Sequence, residues 1–177
     1  HVYVTTMNAQ KSVAVSVRQL LDALGHEMEL RVVAGHNGLD RTITAAEVNR
    51  PGLALAGWYA NFAKHRIQVL GMVEIFYLRR LRSAERLERL RTLMKMRIPS
   101  FIITRNYVPP SELIELGDAF DLPIIRSPGI TMRVVNKLSN WLEDQFAPSL
   151  QVHGTLMEVH GVGVLIMGKA NSPNVFQ

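Results

Sequence analysis

The sequence RIQVLGMVEIFYLRRLRSAERLERLRTLMKMRIPSFIIT, residues 66–104, decides the fold of this chain. Its two ends, Arg66–Leu70 and Phe101–Thr104, are short apolar runs of the kind found in buried strands. Between them, Met72–Arg80 and Ala84–Met96 have the residue pattern of two helices, and Ser83 is the predicted N-cap of the second. Two buried strands joined through helices predict parallel pairing within an α/β layer.

The alternation of helix and strand continues on both sides of this segment. A helix is predicted at Pro110–Phe120, a strand at Leu122–Ile125 and an amphipathic helix at Thr131–Phe146. Near the amino end, Ser16 and Gly25 are the residue types that begin and end a helix. These elements predict that most of the chain forms a single α/β layer structure.

A small antiparallel pair is predicted after the first helix. Glu29–Val33 alternates polar and apolar residues, GHNGLD at 35–40 supplies a turn, and Arg41–Val48 alternates with β-branched residues. With this pair, residues 1–146 are expected to form one complete N-terminal α/β domain.

Pro148 marks the predicted end of that domain. The residue pattern changes after it, because Leu150–Gly168 is rich in glycine and alternates apolar residues. This pattern predicts two strands that turn at His160-Gly161. Residues 147–177 are therefore expected to begin a second domain.

Composition narrows the possible functions. The chain has 177 residues, of which 47% are apolar, and a formal charge of +5 from 20 basic and 15 acidic residues. The basic residues are dispersed or alternate with acids at helical spacing, which favours a solvated helix face over a nucleic-acid groove. The absence of cysteine excludes disulfides, thiolate metal sites and a cysteine nucleophile, and fits a cytoplasmic location. Because the basic residues are dispersed, we expect no nucleic-acid partner. No apolar run reaches the ~20 residues of a membrane span, so we expect no membrane partner.

The end of the chain resembles the approach to a phosphate-binding loop. The apolar strand Val162–Met167 leads into Gly168, the position of the first glycine in G-x-x-x-x-G-K-[ST]. The residues that follow do not complete that loop, and Pro173 removes a backbone N–H donor. The histidines lack metal-ligand spacing, so no metal site is predicted. His153 is singled out as a base or phosphate contact, although on spacing alone a structural or surface histidine is the commoner interpretation.

Four passages resemble a known family, the bacterial HPr kinase/phosphorylase. They are NRPGLALAG (49–57), HRIQVLGMVEIFYL (65–78), IPSFIITRNYVPPSELIELG (98–117) and VHGTLMEVHGVGVLIMG (152–168). The last is the most specific, because the kinase domain of that family opens with V-H-G-x-L-x-x-x-x-G-x-G-V-L-I-x-G and continues D-S-G-x-G-K-S.

The resemblance implies a two-domain enzyme. It implies a Mur-ligase-like N-terminal α/β domain, followed by a P-loop kinase domain that uses ATP and Mg²⁺ to phosphorylate a serine of the carrier protein HPr. The same domain removes that phosphate by phosphorolysis, and the enzyme regulates carbon-source use as a hexamer. In that family His153 falls on the active-site histidine and Gly168 on the first loop glycine.

The chain departs from the family after Gly168. Lys169–Val175 replaces the loop residues, including the lysine and the serine that would contact ATP and magnesium. We therefore expect a truncated kinase domain, no ATP or Mg²⁺ bound to this chain and no kinase activity. The alternative is a stand-alone, non-catalytic ligand-sensing or assembly module. Reading the gene beyond the Gly168 codon in all frames distinguishes the two, because an intact D-S-G-x-G-K-S continuation favours truncation.

Overall fold

The computed structural model describes residues 3–4, 14–147, 153–159 and 162–168. The chain divides into two compact units. The larger spans Ser12–Phe146. The smaller combines strands from both ends of the chain, which are Tyr3–Val4 (β1), His153–Val159 (β8) and Val162–Gly168 (β9).

The larger unit alternates strands and helices. Its strands are Val15–Ser16 (β2), Arg31–Ala34 (β3), Thr42–Ile43 (β4), Gln68–Leu70 (β5), Phe101–Ile103 (β6) and Ile124–Arg126 (β7). Its α-helices are Val17–Leu24 (α1), Gly52–Leu55 (α2), Met72–Arg80 (α3), Ser83–Met94 (α4), Ser111–Ala119 (α5) and Thr131–Phe146 (α6). A short 3-10 helix covers His36–Gly38.

A four-stranded sheet in the order β3-β7-β6-β5 forms the centre of this unit. β5, β6 and β7 are parallel, and β3 pairs antiparallel with β7 at the edge. The parallel pairing predicted from residues 66–125 is confirmed. So are the bounds of α3 and α6, because the apolar spacing that predicted them matches the faces they bury.

The two faces of the sheet pack against different helices. Successive residues of a strand point to opposite faces. Leu70 and Phe101 accordingly belong to a core that includes residues of α2, α3, α4 and α5. Val69 and Ile102 belong to a second core with α1 and α6. The result is a three-layer α/β/α arrangement in which the parallel strands are buried on both faces.

The predicted antiparallel pair after α1 is wrong. β3 pairs with β7 instead, and β4 pairs with β2. The turn between β3 and β4 is held by the end of α5, where the Gly35 N–H donates to Asp118 Oδ1 at 2.8 Å. Gly35 has φ +67°, and a side chain there would meet the Leu122 carbonyl oxygen at 2.1 Å. These tertiary contacts direct β3 into the central sheet, and local alternation does not contain that information.

Ser83 is not the N-cap of α4, as the sequence predicted. Arg82 occupies the cap position without a side-chain hydrogen bond, and Ser83 is the first helical residue. The Ser83 hydroxyl instead donates to Glu112 Oε1 on α5, at 2.7 Å. The Ser83 hydroxyl therefore donates to a carboxylate on another helix, whereas an N-cap hydroxyl would accept from a backbone N–H of its own helix.

Arg86 joins three helices through its guanidinium. It donates to both carboxylate oxygens of Glu112 on α5, at 2.9 and 3.1 Å. It also donates to the Leu78 and Leu81 carbonyls at the end of α3, at 2.6 and 2.8 Å. The Arg86 and Glu112 side chains are only 17% and 9% exposed, so each charge depends on the other for compensation.

The smaller unit is a three-stranded sheet in the order β1-β8-β9. β8 and β9 pair antiparallel along their whole length, which confirms the two strands predicted after Pro148. The predicted turn at His160-Gly161 lies outside the described residues. The assignment of these strands to a second domain stays a prediction. In the described part of the chain, no helix is long and apolar enough to cross a membrane.

We expect Glu112→Gln to destabilise the chain by about 2 kcal/mol near neutral pH, because the charge of Arg86 then loses its partner. The Ser83 hydroxyl and the Arg86 guanidinium hold the pKa of Glu112 below its ordinary value. This contribution is therefore present above the ordinary pKa and is lost as the pH falls through the lowered one. Urea unfolding of both proteins, near neutral pH and at about pH 3, measures the difference.

The matched control for this prediction is Glu85→Gln. Glu85 contacts Arg89 one turn along α4 at 3.5 Å, and its side chain is 46% exposed. Its replacement should cost less than about 0.5 kcal/mol. A difference between the wild type and Glu112→Gln that stays constant from neutral to acid pH would contradict the assigned role of the carboxylate.

Candidate functional site

The two site residues predicted from the sequence face each other across the β8–β9 pair. His153 is the first residue of β8 and Gly168 the last residue of β9, and they are Cα partners in the register. Partners in an antiparallel pair have Cα atoms about 4.5–5.5 Å apart. The backbone thus brings together positions that are fifteen residues apart in sequence. Residues 169–177, where the predicted phosphate loop departs from its pattern, lie outside the described residues.

A second candidate site lies in the larger unit, at the carboxyl ends of β5, β6 and β7. Parallel strands place their carboxyl ends at one edge of a sheet, which is where open α/β folds bind ligands. In this chain the residues directly after the three strands are Gly71, Thr104 and Ser127. We call this region the carboxyl edge.

A buried carboxylate organises the first loop of the carboxyl edge. Glu74 on α3 accepts two hydrogen bonds from Arg50, from Nε at 2.9 Å and from Nη2 at 2.7 Å. It also accepts the Gly71 N–H at 3.0 Å, which satisfies a free donor at the start of the helix. Glu74 is buried, whereas the Arg50 side chain is 39% exposed. Arg50 therefore has a fixed position, and part of its side chain faces solvent.

Two buried hydroxyls connect the second and third loops. Thr104, which follows β6, and Thr131, which begins α6, have their Oγ1 atoms 2.7 Å apart. Gly71 lies against Thr131, since an added Cβ would meet Thr131 Oγ1 at 2.9 Å and Arg50 Nη2 at 2.7 Å. The polar groups of the three loops thus form one close-packed cluster.

The loop after β6 has a strained backbone. Arg105 and Asn106 both have left-handed conformations, with φ values of +54° and +55°. The conformation is held by backbone hydrogen bonds to the loop after β7, from the Arg105 N–H to Gly129 O at 2.8 Å and from the Asn106 N–H to Ser127 O at 2.9 Å. The two loops are therefore joined along their length.

Large apolar side chains at the carboxyl edge are exposed to solvent. They occur on α3, around the start of α6 and in the loop after β6, and are Met72 (48%), Val73 (66%), Phe76 (45%), Val108 (65%), Ile130 (41%) and Met132 (63%). Several exposed apolar residues on neighbouring loops are typical of a surface that contacts a partner or ligand.

A cleft of about 350 Å³ adjoins the end of β7. Glu27, Lys137 and Arg133 contribute charges of both signs to its lining, and Lys137 Nζ lies 2.5 Å from Glu27 Oε1. The Ser127 hydroxyl, at its base, donates to the Met28 carbonyl at 2.9 Å. The cleft has the size of a small-molecule site and is lined by groups that already neutralise one another.

The carboxyl edge presents hydroxyl, guanidinium and carboxylate groups beside exposed apolar side chains. Within the ranges that the structure describes, no three His, Asp or Glu side chains are grouped to hold a metal ion. The sequence analysis did not identify this site. Its signal is a small or polar residue directly after each buried strand, at Gly71, Thr104 and Ser127.

Gly71→Ala tests the packing of the polar cluster. We expect a loss of about 2 kcal/mol, because the added methyl group would displace Thr131 or the guanidinium of Arg50. Gly52→Ala is the matched control, since a Cβ at Gly52, the first residue of α2, meets nothing within 4 Å. The control should be neutral or slightly stabilising. Equal unfolding free energies for the two variants in urea would show that the cluster is not close-packed.

Several known proteins that are similar to this chain are described as HPr kinase/phosphorylase. An HPr kinase/phosphorylase of Brevibacillus brevis is 43% identical over 141 residues, which cover 80% of this chain and 45% of the relative. The HPr kinase/phosphorylase of Bacillus subtilis is 35% identical over 144 residues, which cover 81% of this chain and 46% of the relative. HPr kinase/phosphorylase 1 of Oceanobacillus iheyensis is 35% identical over 156 residues, which cover 88% of this chain and 49% of the relative. The chain thus spans about half the length of these relatives.

A distant likeness to a solved structure is also found. The CBS and DRTGG domains of the regulatory region of Clostridium perfringens pyrophosphatase, complexed with diadenosine tetraphosphate, match with a TM-score of 0.47 and 14% identity, over 70% of this chain and 46% of that one. The family match is far more specific. Residues 15–142, which include the whole four-stranded sheet and the carboxyl edge, match the family described as HPr serine kinase N terminus. The chain belongs to the family of the HPr serine kinase N-terminal domain.

Proposed function

We propose that this chain is the N-terminal part of an HPr kinase/phosphorylase. The full-length enzyme would phosphorylate a serine of HPr with ATP and Mg²⁺ and remove the phosphate by phosphorolysis, in the regulation of carbon-source use. The proposal is supported by the family match over residues 15–142 and by relatives with that name. The N-terminal domain would be Mur-ligase-like, and the full-length protein a cytoplasmic hexamer.

His153 and Gly168 are the residues we assign to the kinase site. The observation that carries this assignment is their pairing in the β8–β9 register. A phosphate loop that begins at Gly168 would leave the sheet beside His153, so a nucleotide phosphate and the imidazole would lie close together. The imidazole would then accept or relay the proton of the seryl hydroxyl or of the attacking phosphate.

The chain itself is proposed to lack kinase activity. Phosphoryl transfer depends on loop N–H groups, a lysine and a hydroxyl that positions magnesium. Lys169 directly follows Gly168 and does not occupy the position of the loop lysine, and Pro173 has no N–H to donate. ATP and Mg²⁺ would therefore bind at the phosphate loop of the full-length enzyme, and not after Gly168 in this chain.

The direct test of inactivity is to incubate the pure chain with HPr, ATP and Mg²⁺ and to look for phosphoserine by mass spectrometry. We expect none. The positive control is a chimera in which residues 1–168 of this chain are joined to the remaining kinase residues of the Brevibacillus brevis relative. The chimera should phosphorylate HPr.

The role of His153 is tested in the same chimera. His153→Ala should lower the rate by about 100-fold or more, the usual contribution of a positioned general base. His65→Ala is the control, because His65 is an exposed residue of the larger unit. Phosphoserine formed by the 177-residue chain would refute its proposed inactivity. An unchanged rate for His153→Ala would refute the role of that histidine.

The second candidate function is a non-catalytic ligand-sensing or assembly module. The exposed apolar residues of the carboxyl edge favour it, because they provide a contact surface that phosphoryl transfer does not use. Replacing Val73 and Met132 by serine should leave stability almost unchanged, since both side chains are more than 60% exposed. A module that assembles through this edge would lose self-association in light scattering, and an unchanged particle mass would count against assembly there.

A further inference from the structure

A cavity of about 320 Å³ lies beside α2 and the loop that follows it. Its volume is within the range of small-molecule sites. Residues from three short segments line it, and those that carry its chemistry are Asn49, Arg50, Leu53, Trp58, Asn61 and Arg66. This cavity is distinct from the cleft at the end of β7, and it shares Arg50 with the polar cluster of the carboxyl edge.

The rim of the cavity exposes two large apolar side chains. Trp58 is 65% exposed and Leu53 is 72% exposed. The backbone of Trp58 is fixed next to α2, because its main-chain N–H donates to the Leu53 carbonyl at 2.9 Å. An indole left in water beside a cavity offers a flat face on which an aromatic ring can stack, with few rotamers to immobilise.

The charge of the lining is positive. Arg50 and Arg66 both line the cavity, and its lining, which lies wholly in the described part of the chain, includes no acidic residue. Glu74 binds Arg50 through Nε and Nη2 and leaves further N–H donors of that guanidinium for a ligand. Arg66 forms a surface ion pair with Glu47, whose side chain is 69% exposed. Such a pair contributes little, so a bound anion can compete with it.

Gln68, which is not part of the lining itself, connects three residues that line the cavity. Gln68 is fully buried and uses both amide hydrogens on the loop, donating to the Ala63 carbonyl at 2.9 Å and the Arg66 carbonyl at 2.8 Å. Its own carbonyl accepts from Asn49 Nδ2 at 2.7 Å. These bonds position Asn49 and the backbone of Arg66 before any ligand arrives, which lowers the entropy lost on binding.

We propose that this cavity binds a nucleotide, that is, a small anion that carries a flat aromatic ring. The phosphate contacts the guanidinium groups of Arg50 and Arg66, since a guanidinium recognises phosphate oxygens in a two-pronged geometry. The base stacks on the Trp58 indole and covers the apolar rim. This binding does not involve phosphoryl transfer, His153 or Gly168, so its failure and that of the proposed kinase function are separate results.

Fluorescence of Trp58 tests the proposal directly. The chain has two tryptophans, and Trp141→Phe leaves Trp58 as the only one. In this variant of the full chain, at least one of AMP, GMP, CMP and UMP, without Mg²⁺, should quench or shift the emission with a dissociation constant below about 1 mM. The matching nucleoside and inorganic phosphate should each bind roughly ten-fold more weakly or worse, because each keeps only half of the contacts.

The variant Arg66→Gln tests the phosphate contact. It removes a surface ion pair, so its effect on stability should be small. It should weaken nucleotide binding by roughly ten-fold, the effect of losing one charge-assisted contact. Arg91→Gln, at an exposed position of α4 outside the cavity, should leave binding unchanged. The proposal is overturned if none of the four monophosphates changes the Trp58 emission at about 10 mM, if inorganic phosphate binds as tightly as the nucleotide, or if Arg66→Gln has no effect.

Discussion

The parallel pairing of β5, β6 and β7 requires cover on both faces of the sheet, and most of the larger unit supplies that cover. Each of these strands has only three residues, so it has few ladder hydrogen bonds of its own. Alternate side chains enter two separate cores, one with α2–α5 and the other with α1 and α6. A parallel pair without a helix on each face would leave one of these cores in water. The position of every loop at the carboxyl edge follows from this requirement.

Covering the sheet brings charged side chains into the interior, and each buried carboxylate is matched by an arginine. Glu74 receives Arg50, and Glu112 receives Arg86 together with the Ser83 hydroxyl. Desolvation makes such pairs weak sources of net stability, but an unmatched partner would be costly. The pairs therefore specify which helix packs beside which, while the apolar cores provide most of the driving force.

Local sequence patterns predicted the parts of the fold whose causes are local. The bounds of α3 were predictable because a buried strand, a glycine and a helical apolar pattern follow one another at Gln68–Arg80. The partner of β3 was not predictable, because it depends on the fit of Gly35 against the Leu122 carbonyl, 87 positions further along the chain. The Arg50–Glu74 pair joins residues 24 positions apart, and nothing in the spacing of either residue indicates the other. Gly168 was predicted from its motif alone, since a phosphate loop is a continuous segment, and its role stays a prediction.

Arg86 has a consequence for how the larger unit comes apart. Its guanidinium occupies free carbonyls at the end of α3, its backbone belongs to α4, and its charge partner lies on α5. Detachment of α4 leaves the Glu112 carboxylate and the carbonyls at the end of α3 without their donor, and detachment of α5 leaves the Arg86 charge without its partner. Partial opening therefore costs an unpaired charge or unsatisfied polar groups, which favours opening of the three helices together. A protease that cuts within α3, α4 or α5 would then depend on their joint opening.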